Sequence, residues 1–559
     1  GDFFVPSSAG LVVQAGQVSV SGANTGILLD GLLRVETGGT INMDGGVGVN
    51  NYIEYSSSGN ASIEVAGGTL TVGSQIRRGT TNPSGVLRYT QTAGNVVVGK
   101  NAAPVSNRGT FEILNTGSRF IYTGGTLTVV RPQTAATEAT VLLEPAVGSV
   151  GNTTLQIGND DTPAASVITI KSSIELGNLT LTGVNGPTAR LRDRSLSLKR
   201  DLTIATGSTF DGTGLYNLTV KRHIVNNGTA NLNVDTLFLR GLTSAPSAAM
   251  QNITGNIRVK HLVVEPETSV TLQAASGVEV DGDLFINSGQ FIDGGNTIAI
   301  KGNVTNLASH VSTNPNAGGL LFNGSVVQRI FGSGQFGRLE VNNPTRVQLE
   351  GSISLNNHLT LTNGIFHLQH HGLTLGQNAN VLGGPFNANK MIAVYGGGFT
   401  PQGLLKNLPV LAGVAPTDPY NPADPAYTWT FTYPVGSDDG TNRRYLPVDL
   451  YMANNSGGGS VRVVPVNDLH ITFSDPDQNL HVLNQYWEVT SSGIAQFTAL
   501  QRHHYTQDAV FGAEDQYIGA RLFEGNWSKF FESTEPPIVV VDEANNWINI
   551  IHENVNLTS

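Results

Sequence analysis

The amino-acid sequence predicts an all-β protein: a parallel β-solenoid (β-helix) followed by an antiparallel β-sandwich-like domain. Three observations predict it. Short stretches of alternating apolar and polar residues recur from about Gly10 to Gly398. Within them a motif repeats with a glycine at a matching place and an aromatic residue nearby. Composition then shifts at a proline-rich stretch, beyond which all four tryptophans of the chain lie.

The alternation comes in runs of four to six residues, such as LLRVET, TFEILN and RFIYTGGTLTVV, punctuated by Gly, Asn, Ser or Thr turns. Each run therefore has one buried and one wet face, and no segment has helical periodicity. The repeat is clearest in DLTIATGSTFDG from Asp201, DLFINSGQFIDG from Asp283 and HLTLTNGIFHLQ from His358. Their glycines are Gly207, Gly289 and Gly364, and their aromatics Phe210, Phe291 and Phe366. A coil that buries one face of each strand is unstable alone, but stacked coils share a continuous interior and pair every strand with its neighbours. At roughly 20 to 30 residues per coil and about 4.8 Å of rise, a rod on the order of 65 to 95 Å is expected.

The solenoid is assigned to residues 1–399. Residues 400–426 contain Pro401, Pro409, Pro416, Pro419, Pro422 and Pro425, which cannot sustain a regular ladder, and read as a linker or irregular cap. Residues 427–559 carry Trp429, Trp487, Trp527 and Trp547 on longer strands, and read as an independent sandwich-like module.

Composition narrows the function classes. A chain of 559 residues is too long for one core, and 67 glycines with 13% charged residues suit strands and tight turns. A formal charge of −11 gives no electrostatic reason to expect nucleic acid as a partner. The chain has no cysteine, which excludes disulfides and thiolate chemistry. No apolar run of about 18 residues occurs, so no helical transmembrane segment is expected. The opening GDFFVPSSAG has no signal-peptide pattern, so an export signal is expected to be removed or to lie outside this sequence.

The stretch from Gly319 to Gly376 contains FNG, QRIFG, FGRLEVNN and LTLTNG in that order. It resembles the repeat unit of large secreted surface proteins of Bacteroidota. NKMIAVYGGGF resembles the segment that closes such repeats, and YPVGSDDGTNRRYLPVDL, NQYWEVTSSG and YIGARLFEGNWSKF resemble the β-module that often follows them. The resemblance covers about Gly319 to Phe530 well and the preceding coils only in style. It implies export by the type IX secretion pathway and a role in adhesion, gliding or extracellular structure. The C-terminal sorting domain usual in that family is not found, and the motifs speak to architecture more than activity.

Solenoids also host polysaccharide lyases and hydrolases, which need converging carboxylates or a base beside them. Asp160 and Asp161, with Arg258 and Lys260, come nearest, but adjacent carboxylates in a GNDDTP stretch are ordinary turn residues. GSGQFG, with Gly332, Gly334 and Gly337, fits a dinucleotide fingerprint in letters only, because RLEVNNP after it reads as a strand. His367, His370 and His371 suggest a metal site. In a continuous strand, though, only His367 and His371 share a face, and adjacent His503 and His504 would face opposite ways. Arg190, Arg192 and Arg194 alternate, so three guanidinium groups on one face could grip an anionic polysaccharide. The plainer alternative is a solvated face. Asp438, Asp439, Asp475 and Asp477 lie in loops that could offer oxygen ligands to calcium, the one cofactor worth testing. The module's tryptophans could stack sugars rather than fill a core. On that reading Trp487 or Trp527 should be exposed.

The expectation is therefore a non-catalytic extracellular or cell-surface protein of structural or adhesive role. Its partners would be other copies of itself, other surface proteins or polysaccharide, with a filament or surface layer as one form of assembly. A polysaccharide lyase or hydrolase on the solenoid face and a C-terminal glycan-binding module are the rival expectations.

Overall fold

The computed structural model describes the chain except residues 57–58, 102–106, 133–136, 242–249, 397–401, 474–480, 524, 530–540 and 554–559. It is 51% strand and 2% helix, a parallel β-solenoid of about 16 turns with antiparallel sheets at the C-terminal end. Among the described residues no helix is long and apolar enough to cross a membrane. The chain divides into two compact units, Gly1–Gly282 with Ser288–Phe291, and Asp283–Asn287 with Ile292–Ser559.

In the first unit the sequence alternation becomes alternation of burial, as in Ile27–Leu29, Leu32–Val35 and Gly39–Met43. Successive coils stack these residues in columns. Ile27 pairs with Ile53 and Ile53 with Ile76; Leu33 pairs with Ile63 and Ile63 with Tyr89; Ile41 pairs with Leu70 and Leu70 with Val96. All of them are fully buried, so the interior is a set of apolar ladders shared by neighbouring coils. Coil length varies: Leu179 pairs with Leu202, 23 residues on, and Leu32 with Ser62, 30 residues on.

The repeated glycine and aromatic sit where this architecture needs them. Gly207, Gly289 and Gly364 have φ of 80°, 66° and 90°, a left-handed turn conformation that other residues adopt at a cost. Phe210, Phe291 and Phe366 are fully buried. Buried asparagines add a feature that composition does not show. The Asn226 amide donates to the carbonyls of Thr229 (3.0 Å) and Asn256 (2.7 Å), and its oxygen accepts from the Gly228 N–H at 3.0 Å. One side chain thus satisfies the backbone of its own corner and of the next coil.

The second unit continues the pattern, with Ile298 paired to Leu320, Leu320 to Leu339, and Leu339 to Leu359. It departs from expectation at the predicted boundary. Gly403–Asn407, inside the stretch expected to be a linker or cap, pairs in parallel with Gly372–Leu375 and antiparallel with Ser460–Val466. Ser460–Val466 pairs in turn with Tyr486–Ser492. A solenoid sheet therefore runs directly into one sheet of the module. A second column does the same, from Phe366 through Ile392 to Val435.

Lys406 anchors this junction. It is 1% exposed, and its ammonium donates to the carbonyls of Gly376, Gln377 and Ala379, each at 2.7 Å. The prolines downstream belong to an ordered turn. Asp424 accepts from the N–H groups of Asp418 and Ala426 (both 2.9 Å) and from the Thr417 hydroxyl (2.8 Å), which together hold its carboxyl at about 2. Tyr427, at the end of this turn, packs against Ala453 and Leu500.

The module's other sheet is antiparallel: Trp429–Tyr433, Val448–Asn455, Phe497–His504, Trp547–Glu553 and Val541–Asp542, in that order. The two sheets face each other. The Tyr433 hydroxyl donates to the Val461 carbonyl at 3.1 Å, and the Trp487 ring meets His503 edge-on at 4.9 Å.

Candidate functional site

On the coils of the first unit, charged side chains pair with partners about one coil away. Arg190 bonds Asp211 (2.6 Å), Arg240 bonds Glu265 (2.5 Å), Lys260 bonds Asp235 (2.6 Å) and Arg258 bonds Asp281 (2.7 and 3.2 Å). These partners are 21 to 25 residues apart in sequence. The three alternating arginines do not share a strand face. The strand ends at Leu191, and Asp193 turns the chain with φ of 58°. Arg192 donates to the Glu138 carbonyl and Arg194 lies 3.6 Å from Glu144, so each arginine has a local anionic or carbonyl partner.

The solenoid candidates for catalysis do not converge. Asp160 and Asp161 are exposed in a turn organised by Asn159 and Thr162, while Arg258 and Lys260 are paired as above. Asp160 follows Thr154–Ile157, whose ladder reaches Gln251–Val259 only after four rungs. At about 4.8 Å per rung that is on the order of 19 Å. In the second unit, GSGQFG itself contains the strand Gln335–Phe336 and is followed by the strand Leu339–Asn342, not by a helix. Its glycines allow close packing, since a Cβ on Gly332 would lie 2.1 Å from the Asn306 carbonyl oxygen.

The histidines of HLQHHG do not form a metal set. The strand ends at His367 and Gln369 turns with φ of 56°, so the alternation expected to align His367 with His371 is broken. His367 is buried, bonded through Nε2 to the Asp438 carbonyl (2.9 Å) and through Nδ1 to the Gln369 N–H (2.9 Å). Both ring nitrogens are therefore engaged. His503 and His504 do face opposite ways, His504 bonding Asp449 at 2.8 Å.

Of the calcium candidates, Asp475 and Asp477 lie outside the described residues. Asp438 is 3% exposed, paired with Arg443 at 3.1 Å and capped by the Gly440 N–H. Asp439 accepts from the N–H groups of Asn442 (2.6 Å) and Thr441 (2.7 Å), which hold its carboxyl low. These oxygens are engaged in a hairpin turn. Among the described residues no group of three or more His, Asp or Glu side chains is placed to hold a metal ion.

The module contains a cleft of about 780 Å³ that brings together Trp487 and Trp527, the two tryptophans singled out in the sequence. Gln485, Tyr486, His503 and His470 are also in its wall. Trp487 is half-buried, with its N–H donated to the Leu446 carbonyl at 3.1 Å, so its ring is fixed. Trp527 is 43% exposed, on a hairpin strand paired with Ala520–Phe523. His470 stands edge-on to both Trp527 (5.5 Å) and Tyr486 (5.0 Å), linking the two sides of an aromatic wall.

On two residues of this wall, Gln485 Nε2 and His503 Nδ1 are buried with no hydrogen-bond partner among the described residues. Both residues are 3% exposed. Burial, reinforced by His552 and His504, pushes the His503 imidazole down to about 3, so the ring is neutral and one nitrogen carries the proton. Nε2 lies 3.1 Å from Gln501 Oε1, an acceptor, and so takes the proton. Nδ1 is left as a bare acceptor, and Gln485 Nε2 as a bare donor. Sequence reading missed Gln485, which stands just ahead of the strand Tyr486–Ser492 rather than on it. No protein-family model, curated protein or solved structure matches the chain.

Proposed function

We propose that this chain is a non-catalytic extracellular protein of adhesive or structural role, in which the solenoid is a spacer and the C-terminal module the contact end. The observation that carries the reading is the continuity of Gly403–Asn407 with both the last coils and the module. A mount made of backbone hydrogen bonds suits a part that must transmit load. The pairing of charges from coil to coil in the first unit also favours a spacer over an enzyme face, since an active site needs charged groups left free to converge. The resemblance of Gly319–Phe530 to secreted Bacteroidota surface proteins supports an extracellular location and export by the type IX pathway.

The test has three measurements. Full chain incubated with polygalacturonate, alginate and hyaluronate should release no new reducing or unsaturated ends; sustained turnover would overturn the non-catalytic reading. Beads coated with the full chain should be retained on polysaccharide or cell-envelope surfaces under flow, and retention no better than uncoated beads would count against adhesion. Antibody to the module should label intact producing cells, and labelling only after lysis would remove the surface location.

A further inference from the structure

We infer that one corner of the solenoid, built on Lys199, Arg200, Lys221, Arg222 and Arg240, is a binding surface for an acidic polysaccharide of the polyuronate kind. The inference rests on the extracellular reading for its partner, and it gives the coils, read above as a spacer, a contact surface of their own.

The sequence supplies the cations and the ladder stacks them. Leu196–Leu198 and Leu218–Val220 are each followed by a Lys-Arg pair, and Thr236–Leu239 by Arg240. Leu198 pairs with Val220 and Val220 with Leu239. Hydrogen bonding runs on past the strand ends: the Lys221 N–H donates to the Leu198 carbonyl, the Arg222 N–H to Arg200 and the Arg240 N–H to Val220. Three successive coils thus carry their cations at one corner, at about 4.8 Å per rung. Lys221 pairs with Glu175 (2.7 Å), Arg222 with Asp201 (3.6 Å) and Arg240 with Glu265 (2.5 Å). Lys199 and Arg200 form no ion pair among the described residues. Lys199 bonds the Val150 carbonyl at 3.4 Å and Arg200 the Asn152 side-chain oxygen, both neutral. Five cations therefore meet three carboxylates, a local positive excess in a chain of formal charge −11.

An excess repeated from rung to rung favours a linear polymer with a carboxylate on each sugar, and a guanidinium fork matches that carboxylate with two parallel N–H bonds. A neutral glycan gains nothing from such a corner. Nucleic acid fits it less well, because the rest of this acidic chain repels so dense a polyanion. Nor is a ring open for a base to stack on: the one Phe, Tyr or Trp of these three segments, Phe238, already lies under the Arg240 guanidinium at 5.0 Å.

The experiment passes the full chain over immobilised polygalacturonate, with dextran and a DNA duplex as the other arms, at about 50 and 200 mM salt. Binding of polygalacturonate and not of dextran is expected, weaker at the higher salt because the contacts are exposed. Lys199→Ser combined with Arg200→Ser should weaken it about tenfold or more. Arg190→Ser, at an arginine of a different strand already paired with Asp211, should leave it unchanged. A poorly folded variant also loses binding, so Glu265→Gln is the second test: it releases Arg240 and should strengthen binding several-fold. No binding of polygalacturonate at the lower salt, DNA held as tightly, indifference to the Lys199 and Arg200 substitutions, or weaker binding by Glu265→Gln would overturn the inference. If polygalacturonate is held but antibody labels cells only after lysis, the corner stands and the extracellular reading falls. If intact cells are labelled and polygalacturonate is not held, the reverse is true.

Discussion

The solenoid coils and the C-terminal module use the same strands but treat polar groups differently. On the coils of the first unit, arginines and lysines meet carboxylates on neighbouring coils, and a corner amide such as Asn226 satisfies the backbone of its own corner and of the next coil. In the module, Gln485 Nε2 and His503 Nδ1 are buried behind the aromatic wall without partners among the described residues. The first arrangement ties one coil to the next and makes architecture. Among the described residues, buried polar atoms without a partner also occur in the coils, Thr153 Oγ1 and Ser208 Oγ among them, so what sets the module apart is its aromatic-walled cleft.

The contrast can be broken in order of expected effect. Phe210→Ala should open a cavity in a fully packed coil and cost about 3–5 kcal/mol, read as a shift of the urea midpoint. Acid should act on the module before the coils. Imidazoles in an unfolded chain take up protons near pH 6.5. Buried His503 and His552 refuse them down to about 3. The unfolded state therefore binds more protons in that window, and stability falls as pH is lowered through it. At pH 5 the loss should be about 2 kcal/mol per imidazole. The carboxyl of Glu175 behaves otherwise: burial alone would raise it, but Lys221 and Ser197 outweigh burial and hold it low. Its contribution is intact at pH 5 and lost only in stronger acid. Near-ultraviolet circular dichroism of the module's tryptophans should thus respond between pH 7 and 5, with the far-ultraviolet strand signal following only below that range.

Lys406→Met tests the junction. Removing an ammonium that satisfies three buried carbonyls should cost about 2–4 kcal/mol and lower the melting of the last coils and the module together. Separate transitions would show that the two do not melt as one. Lys221→Gln, at a half-buried pair 2.7 Å from Glu175, should cost no more than about 1 kcal/mol in the same denaturation assay.

The solenoid was legible because its signals are local. Alternation, a positive-φ glycine and an aromatic two or three residues on, as in Gly364 and Phe366 or Gly207 and Phe210, repeat within a dozen residues. The junction was not, because GLLKN between prolines looks like any short linker strand. What defines it is pairing with Ser460–Val466, more than fifty residues away. The arginine run at 190–194 misled because one residue, Asp193, leaves the extended conformation and ends the alternation. The cleft was half legible. Tryptophans at 487 and 527 announce themselves, whereas Gln485 and His503 matter only through what the fold withholds from them, and a sequence does not print a missing partner.

Gly403–Asn407 also decides how this protein can be taken apart. It is one strand with an edge in each region, so cutting the chain at residues 399 and 427 splits a sheet and strips Lys406 from its carbonyls. Each fragment would carry a raw edge ready to join another of its kind. A fragment that includes the preceding coils keeps those edges covered, and the fixed seam leaves the cleft no swivel: whatever it grips, it grips at one bearing to the coil beneath.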